Sequence, residues 1–335
     1  MPDLPLLLVL IVAVALVFDF TNGAHDSANA IATVVSTKVL SPRTAVLMAA
    51  SLNLIGAMLG DQVATTLGKG VVNPDMLNGS QLLVLGALLG AIGWNLITWY
   101  VGIPSSSSHA LIGGLIGAAV VHAGFSSLNG QSIVDKILIP LFMSPLCGFL
   151  AGYLLMELIK IVCWHFNRHR TNKFFHHFQI CSAAFMAVSH GLNDAQKTMG
   201  IITLALYLFG EIDVIHVPLW VKLFCATAMA MGTAVGGWKI VKTMGHKIFK
   251  LEPVHGVAAE TSASLVIIGA SMFGAPISTT HTITACIFGV GSTKRLSAVR
   301  WGVAGQLVTA WLLTIPAAAL MGGFFFWLLH AVGLG

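Results

Sequence analysis

Apolar residues occur along the whole chain in long stretches that short polar segments separate. The stretches at 4–18, 82–101, 137–159 and 301–329 approach or exceed the roughly 20 residues that a helix needs to cross a membrane. Their lengths favour membrane-spanning helices over the core of a large soluble domain. No basic region precedes the first stretch and no small-residue cleavage site follows it, so we expect a retained membrane helix rather than a signal peptide.

Two shorter apolar stretches begin with a proline and a run of hydroxyl side chains. They read "PSSSSHALIGG" from Pro104 and "PISTTHTITAC" from Pro276. Each continues for about 14 residues, which is too short for a full span and is typical of a re-entrant or half helix. Proline in the first turn and serine or threonine at the N-cap predict that a helix begins at each run.

The composition agrees with a membrane protein. Hydrophobic residues make up 56% of the chain and charged residues 9%, whereas a soluble domain has about 25% charged residues. The 35 glycines are typical of helices that pack closely in a membrane. The five cysteines show no CxxC spacing, so we expect small buried side chains rather than disulfides or a metal site. We expect no cofactor.

Basic residues are concentrated in alternate loops. Most of the 17 lysines and arginines lie at 38–43, 160–173, 239–250 and 294–300, and the loops between these segments contain few. The positive-inside rule therefore predicts that the basic loops are cytoplasmic and that both termini lie outside a bacterial-type inner membrane. This placement explains the net charge of +5 without nucleic acid as a partner.

The order of the polar motifs predicts that one unit of roughly 160 residues occurs twice. The interval from Asp26 to His109 nearly equals the interval from Asp194 to His281. The basic loops fall at opposite ends of the matching segments, so the two units are predicted to cross the membrane in opposite directions. Such inverted repeats are typical of secondary transporters and bring equivalent motifs together near the middle of the bilayer.

The predicted fold is therefore an all-α integral membrane protein, an inverted-topology repeat transporter with broken or re-entrant helices. The first inverted repeat is predicted to cover residues 1–160 and the second to cover residues 179–335. Residues 161–178 are predicted to form a basic cytoplasmic linker between them.

Two helix starts that face each other would form a site for a tetrahedral oxyanion. The first N–H groups of a helix have no intrahelical acceptor, and the helix dipole makes this end positive. Hydroxyl side chains add further donors. Alternatively, the hydroxyls have a purely structural role and only cap or join helices. The occurrence of a hydroxyl run in both predicted repeats disfavours this alternative. The hydroxyl residues predicted to bind the substrate are Ser106, Ser107, Ser108, Ser278, Thr279 and Thr280.

Asp26 and Asp194 are acidic residues in apolar surroundings, where a charge costs about 2.5–3.5 kcal/mol or more. They are predicted to contact the substrate, which requires a cation near the two carboxylates. Lys197 follows Asp194 by one helical turn and would supply this cation, whereas its counterpart in the first half is Asn29. A plain ion pair is compatible with this role, and we expect the pair to leave one ammonium hydrogen for the anion.

Polar neighbours of the two aspartates complete the candidate site. His25 either carries coupling protons, because histidine titrates near physiological pH, or is a neutral hydrogen-bonded residue. Asn193 and Gln196 are predicted to bind substrate, and His25, Asn29 and Lys197 are predicted to take part in coupling together with the aspartates. The identity of any metal stays open. Two further acids at membrane depth are weaker candidates, Asp19 and Glu260.

Four motifs carry a family resemblance over nearly the whole chain. In order, "GAHDSANA", "IPSSSSHALIGGLIG", "SHGLNDAQKTMG" and "PISTTHTITA" resemble the paired signatures of the inorganic phosphate transporter (Pit) family. The resemblance implies an all-helical carrier with inverted repeats, usually a homodimer in the lipid bilayer. It also implies import of inorganic phosphate together with a coupling cation.

The chain departs from the Asn-Asp-x-Ala-Asn-Ala motif of the sodium-coupled members in both halves. His25 replaces the first asparagine, and "NDAQKT" replaces the second motif. These departures resemble the bacterial proton-coupled branch, which is associated with uptake of phosphate and metal–phosphate complexes. The alternatives are a sodium-coupled phosphate symporter and a permease for sulfate or another oxyanion. Phosphate is favoured because it can donate a hydrogen bond to a carboxylate, which sulfate at neutral pH cannot.

An enzyme is disfavoured by the same motifs. Ser108 and His109 are adjacent, so their side chains would diverge on a helix instead of forming a nucleophile–base pair. The sequence contains no GxxxxGK[ST] phosphate-binding loop, so we expect no ATP hydrolysis by this chain.

Overall fold

A computed structural model describes residues 4–68 and 81–333, and within them the chain is helical and contains no strand. Short π-helical segments follow α6 and α10. The helices are α1 (Leu4–Ser36), α2 (Pro42–Ala57), α3 (Gln62–Gly68), α4 (Gln81–Val101), α5 (Ser107–Ala123), α6 (Gly130–Ile133), α7 (Ile139–Cys163), α8 (Arg168–Leu208), α9 (Leu219–Val235), α10 (Trp238–Lys242), α11 (Pro253–Met272), α12 (Thr279–Ser292) and α13 (Trp301–Ala331).

Several helices are long and apolar enough to cross a membrane. By length and composition these are α1, α4, α7, α11 and α13. The helix pair formed by α9 and the segment 238–247 bends by 60°, and it adds a sixth span if it is one broken helix. The four long apolar stretches of the sequence lie in α1, α4, α7 and α13, which confirms the prediction of a multi-pass, all-α membrane protein.

The two hydroxyl runs form helix starts, as predicted. Ser106 is the N-cap of α5 and Ser278 is the N-cap of α12. Each serine oxygen accepts a hydrogen bond from the backbone N–H three residues later, at 3.2 Å in both cases. Gly102 and Gly274 precede the runs with φ of 82° and 67°, a left-handed conformation that glycine adopts without strain. The helices are short, with 17 residues in α5 and 14 in α12.

Each short helix packs against a long helix that is distant in the sequence. α5 lies against α4 and α13, and α12 lies against α7 and α11. A methyl group at Gly117 in α5 would lie 1.8 Å from the carbonyl oxygen of Ala319 in α13. A methyl group at Gly152 in α7 would lie 2.6 Å from the carbonyl oxygen of Cys286 in α12. These helices therefore approach backbone to backbone, without room for side chains.

α1 and α8 carry the aspartate motifs and pack on each other. They contain 33 and 41 residues, so Asp26 and Asp194 lie inside long helices, where both are buried. The predicted linker 161–178 is mostly helical, because α7 ends at Cys163 and α8 already begins at Arg168. The division into repeats, their inverted orientation and the location of the termini stay predictions.

The cysteines differ from the prediction. All five are free thiols. Cys225 and Cys286 are buried as expected, but Cys147 and Cys181 are exposed and Cys163 is partly exposed. The prediction of small buried side chains is therefore wrong for three of the five. The exposed thiols lie on α7 and α8, helices with apolar outer faces, where a small weakly polar group is tolerated.

Candidate functional site

The two hydroxyl runs meet at one carboxylate. Ser107 Oγ, from the start of α5, donates to Asp26 Oδ2 at 3.0 Å. Thr280 Oγ1, from the start of α12, donates to Asp26 Oδ1 at 3.1 Å. Because one carboxylate accepts from both runs, the two helix starts lie within reach of a single small anion. The spacing of the motifs along the sequence predicted this meeting.

The second carboxylate is paired with a lysine. Lys197 Nζ donates to Asp194 Oδ1, to Ser108 Oγ and, at 2.9 Å, to the carbonyl oxygen of Ile277. Thr279 Oγ1 donates to Asp194 Oδ2 at 2.6 Å. The predicted ion pair is confirmed. The expectation of a free ammonium hydrogen is wrong for this conformation, because all three hydrogens have acceptors in the protein.

Asn29 and Lys197 make reciprocal contacts between the halves. Asn29 Nδ2, in the first half, donates to Thr279 Oγ1 at 3.2 Å and to Thr280 Oγ1 at 3.0 Å in the second run. Lys197, in the second half, donates to Ser108 in the first run. Each aspartate motif therefore holds the hydroxyl run of the opposite half with a donor at the same position, an amide in one case and an ammonium in the other.

His25 is buried and contacts polar groups through both ring nitrogens. Its Nδ1 lies 2.6 Å from Asp26 Oδ1, and its Nε2 lies 3.1 Å from Thr98 Oγ1 and 3.3 Å from Ser105 Oγ. Ser105 also donates to Thr98 at 3.0 Å. Since the Ser105 hydroxyl can point to either neighbour, the surroundings suit both a neutral and a protonated imidazole. Both hypotheses for His25 stay open.

His190 joins the site although the sequence analysis did not select it. Its Nε2 lies 2.9 Å from Asp194 Oδ2, and its Nδ1 lies 3.2 Å from Asn53 Oδ1. The sequence could have indicated this contact, because His190 precedes Asp194 by four residues and hence lies on the same helix face. One ligand atom from each of Asp26, His190 and Asp194 lies within 4.8 Å of the others, a group that could hold a metal ion. The ammonium of Lys197 opposes a second cation there.

Two predicted substrate-binding residues have partners outside the hydroxyl cluster. Gln196 Oε1 accepts from the backbone N–H of Val63 at 2.8 Å, so this side chain holds the first turn of α3. Asn193 Nδ2 donates to Ser271 Oγ in α11 at 2.7 Å. Within the described part of the chain, neither side chain hydrogen-bonds to the hydroxyl runs. In this conformation both residues therefore position helices around the cluster.

The two weaker acidic candidates lie outside the cluster, and both are fully buried. Glu260 accepts hydrogen bonds from Thr33, from Ser182 and, at 3.1 Å, from Gln179 Nε2. These donors come from α1 and α8 and satisfy both carboxyl oxygens. Asp19 accepts from a single hydroxyl, that of Thr198 in α8. The two acids thus differ in how well the protein satisfies them.

Known proteins share the sequence and the fold. Residues 22–322 match the phosphate transporter family. The chain is 47% identical over 333 residues to the probable low-affinity inorganic phosphate transporter of Bacillus subtilis (strain 168), a match that covers 99% of this chain and 100% of that protein. It is 49% identical over 320 residues to the protein of the same name from Rhizobium meliloti (strain 1021), with 94% of each chain covered.

A solved structure described as "The sodium-dependent phosphate transporter" has the same fold, with a TM-score of 0.89 and 23% identity over 97% of this chain and 99% of that chain. The named relatives are transporters, which agrees with the prediction that this protein is not an enzyme. The extent of the family match and of the two bacterial alignments leaves one conclusion: this chain belongs to the phosphate transporter family.

Proposed function

We propose that this protein is a secondary transporter that imports inorganic phosphate in symport with protons. One observation carries the proposal: hydroxyls from two separate helix starts converge on Asp26, next to a second carboxylate that is already paired with Lys197. The names of the bacterial relatives support phosphate as the anion.

A phosphate ion can replace the carboxylates as the acceptor of the hydroxyl hydrogens. Ser107, Thr279 and Thr280 donate to Asp26 or Asp194 in this conformation, so the cluster is internally satisfied. A bound phosphate offers oxygens in several directions to these hydroxyls and to the first N–H groups of α5 and α12. Its own hydroxyl donates to a carboxylate, which a sulfate ion cannot do. The sulfate permease is therefore the weaker alternative.

Lys197 favours protons over sodium as the coupling ion. Its ammonium lies against Asp194 and Ser108, where it supplies the positive charge that a bound sodium ion would otherwise supply. His25, beside Asp26, has surroundings that fit both of its protonation states. A sodium-coupled phosphate symporter is the alternative, since the solved structure with the same fold is described as sodium-dependent.

One observation supports a metal–phosphate complex as a second form of the cargo. One ligand atom from each of Asp26, His190 and Asp194 lies within 4.8 Å of the others, beside the hydroxyl runs. Carboxylate oxygens and imidazole nitrogens are ligands that divalent metals accept. We further propose a homodimer in a bacterial inner membrane, with the basic loops in the cytoplasm and both termini outside, as the distribution of lysine and arginine indicates.

Uptake of radiolabelled phosphate into proteoliposomes tests the proposal. A pH gradient and a sodium gradient are imposed separately, each with and without magnesium, and unlabelled sulfate or phosphate is added as competitor. We expect the pH gradient alone to drive uptake and only phosphate to compete. Magnesium-dependent uptake would support the metal–phosphate cargo. Uptake that follows sodium and ignores pH would contradict proton coupling, and equal competition by sulfate would contradict the anion assignment.

A further inference from the structure

Asp19 is a buried acid that forms no ion pair with any described residue. Its side chain is 0% exposed in the middle of α1. Thr198 Oγ1 donates to its Oδ1 at 2.9 Å, whereas its Oδ2 accepts no hydrogen bond within residues 4–68 and 81–333. Asp26 and Asp194, by contrast, each contact an ammonium or an imidazole. Asp19 is therefore the least compensated of these three acids.

The groups that face Asp19 offer no positive charge. They are Asn22 on α1, Thr198 on α8 and the thiol of Cys225 on α9. The charged residue that acts on it is Asp194 on α8, whose negative charge repels a second one. An isolated carboxylate in an apolar interior is too costly to stay ionised and unpaired. The Asp19 carboxyl must therefore be neutralised by a proton or by a bound cation.

The surroundings of Asp19 suit a proton better than a metal ion. A hard cation requires several oxygen ligands, but one of the three facing groups is the thiol of Cys225, a soft ligand. A proton on Oδ2 requires only one acceptor. Asn22 lies one helical turn further along the same face of α1, and its Oδ1 is a buried oxygen without a donor among the described residues. Asn22 also faces the Asp19 carboxyl, so a hydrogen on Oδ2 would add a donor next to this side chain.

We propose that Asp19 binds a coupling proton, at a site separate from the anion cluster, an inference that rests on the proposed proton-coupled uptake. The step is a simple proton transfer: Oδ2 gains a proton before phosphate binds and releases it after phosphate leaves. Protonation removes a negative charge that faces Asp194, which lowers the repulsion on an incoming anion. Phosphate binding and proton binding therefore favour each other.

Asp19 is connected to the anion cluster along two helices. On α1, Asn22 lies between Asp19 and Asp26 at helical spacing, three residues after the first and four before the second. On α8, its hydrogen-bond partner Thr198 lies one turn beyond Asp194. The matching position in the second half is Ala187, which is buried and apolar. The second half therefore has no acid at the matching position, and the single carboxyl of Asp19 contributes one proton to each transport cycle.

Asp19→Asn tests the inference in full-length protein in proteoliposomes. Each coupled proton multiplies the phosphate accumulation ratio by about tenfold per pH unit, the equivalent of about 1.4 kcal/mol. We expect Asp19→Asn to lower the ratio by about this factor at a gradient of one pH unit, while exchange of phosphate without a gradient continues. Asp19→Glu keeps the carboxyl, and Cys225→Ala changes the same surroundings without removing it. Both are expected to accumulate phosphate like wild type.

An unchanged accumulation ratio in Asp19→Asn would overturn the inference while leaving proton-coupled uptake in place. Wild-type uptake that ignores the pH gradient would instead contradict the proposed function itself. If Asp19→Asn does not fold, infrared difference spectra of wild type and Asp19→Glu, recorded on adding phosphate, test whether Asp19 binds the proton. We expect a band from a protonated carboxyl group that shifts between wild type and Asp19→Glu. A band at the same position in both proteins would show that another acid binds the proton.

Discussion

Asp26 in α1 and Asp194 in α8 are both buried acids beside the hydroxyl runs, yet their surroundings differ in charge. Asp26 contacts an imidazole, that of His25, and accepts hydroxyl hydrogens from both runs. Asp194 contacts the ammonium of Lys197 as well as an imidazole, that of His190. One carboxylate is thus accompanied by an imidazole alone, and the other by an ammonium and an imidazole.

The difference assigns separate tasks to two similar acids. Two carboxylates whose oxygens lie within 4.8 Å of each other repel strongly unless positive charge accompanies them. Lys197 supplies that charge on one side through its ion pair with Asp194, so Asp194 is suited to hold the structure of the site. Asp26 is compensated only through His25 and hydroxyls, so it is suited to respond when a proton or phosphate arrives. Substitutions at both acids and at their neighbours test this division.

The largest effect is expected from Asp194→Asn compared with Asp26→Asn. Asp194→Asn leaves the ammonium of Lys197 buried and unpaired, which costs about 3–5 kcal/mol of stability. Asp26→Asn leaves the imidazole of His25 instead of an ammonium without its partner, so the loss of stability is smaller. Both variants are expected to insert into the membrane and to lose pH-driven uptake. Thermal unfolding in detergent and uptake in proteoliposomes measure the two effects.

The double variant Asp194→Asn/Lys197→Asn is the matched control, because it removes both charges of the pair together. It is expected to regain most of the stability that Asp194→Asn loses. Equal melting temperatures for Asp194→Asn and Asp26→Asn would contradict the division of tasks. Near-normal accumulation by a well-expressed Asp194→Asn variant would show that this acid has only a structural role.

Lys197→Asn makes the second half resemble the first, where Asn29 holds the same position. Without the ammonium, Asp194 has no permanent cation, so we expect sodium to take its place. Sodium is expected to stimulate uptake about tenfold, the equivalent of about 1.4 kcal/mol. Lys222→Asn is the control, since Lys222 pairs with Asp61, a partly exposed residue away from the hydroxyl runs. Sodium-independent uptake by Lys197→Asn would show that this ammonium does not replace an ion.

In the sequence, His25 directly precedes Asp26, and Asn193 directly precedes Asp194. His25→Asn therefore gives both aspartates an asparagine at the preceding position. The amide can still donate a hydrogen bond, but it cannot titrate. We expect uptake to fall a few-fold and to depend less on pH, because an amide replaces the imidazole beside Asp26. His176→Asn is the control, because His176 lies on the exposed part of α8. This variant is expected to show the same pH profile of uptake as the wild type. A pH profile that keeps its shape in His25→Asn would show that His25 is only a hydrogen-bonded structural residue.

The smallest effect on stability is expected at the N-caps of α5 and α12, which resemble each other closely. Ser106 and Ser278 cap α5 and α12 with hydrogen bonds of the same length, 3.2 Å. Ser106→Ala and Ser278→Ala are each expected to cost about 1 kcal/mol of stability, as at other N-caps. The two losses should be nearly equal and should add in the double variant, measured by thermal unfolding. Clearly unequal losses would mean that one of the serines does more than cap its helix.

Features that depend on neighbours along the chain were predicted from the sequence. The hydroxyl runs predicted where α5 and α12 begin, because capping uses residues within one helical turn. The prediction of proline in the first turn is wrong, because Pro104 and Pro276 each lie two residues before the N-cap. The pair of Asp194 and Lys197 was predicted for the same reason, since residues three apart share a helix face. The length of the apolar stretches predicted the membrane helices.

The order of the motifs predicted that the two hydroxyl runs meet, but it did not predict the individual contacts between distant parts of the chain. Thr280 donates to Asp26 across 254 positions of sequence, a contact that depends on how α12 packs near α1. Gln196 holds α3 instead of the hydroxyl cluster because α3 packs on α8 beside it. The motif around Asp194 contains both Lys197 and Gln196, and its spacing alone does not show which of them points inward. Packing between helices decides this, and an isolated motif carries no information on it.

The packing of α5 on α13 also affects how the protein is made. Gly117 in α5 lies directly against the backbone of Ala319 in α13, about 200 residues later in the chain. At about 5–20 residues per second, a ribosome needs roughly 10–40 s to synthesise that interval. During this time α5, with its polar first turn, is in the membrane without the helix that covers its glycines. In the same way, α7 is synthesised before α12, the helix against which it packs. Biosynthesis of this chain therefore includes an interval in which the future binding site is only half built, and lipid or the insertion machinery must cover the open face.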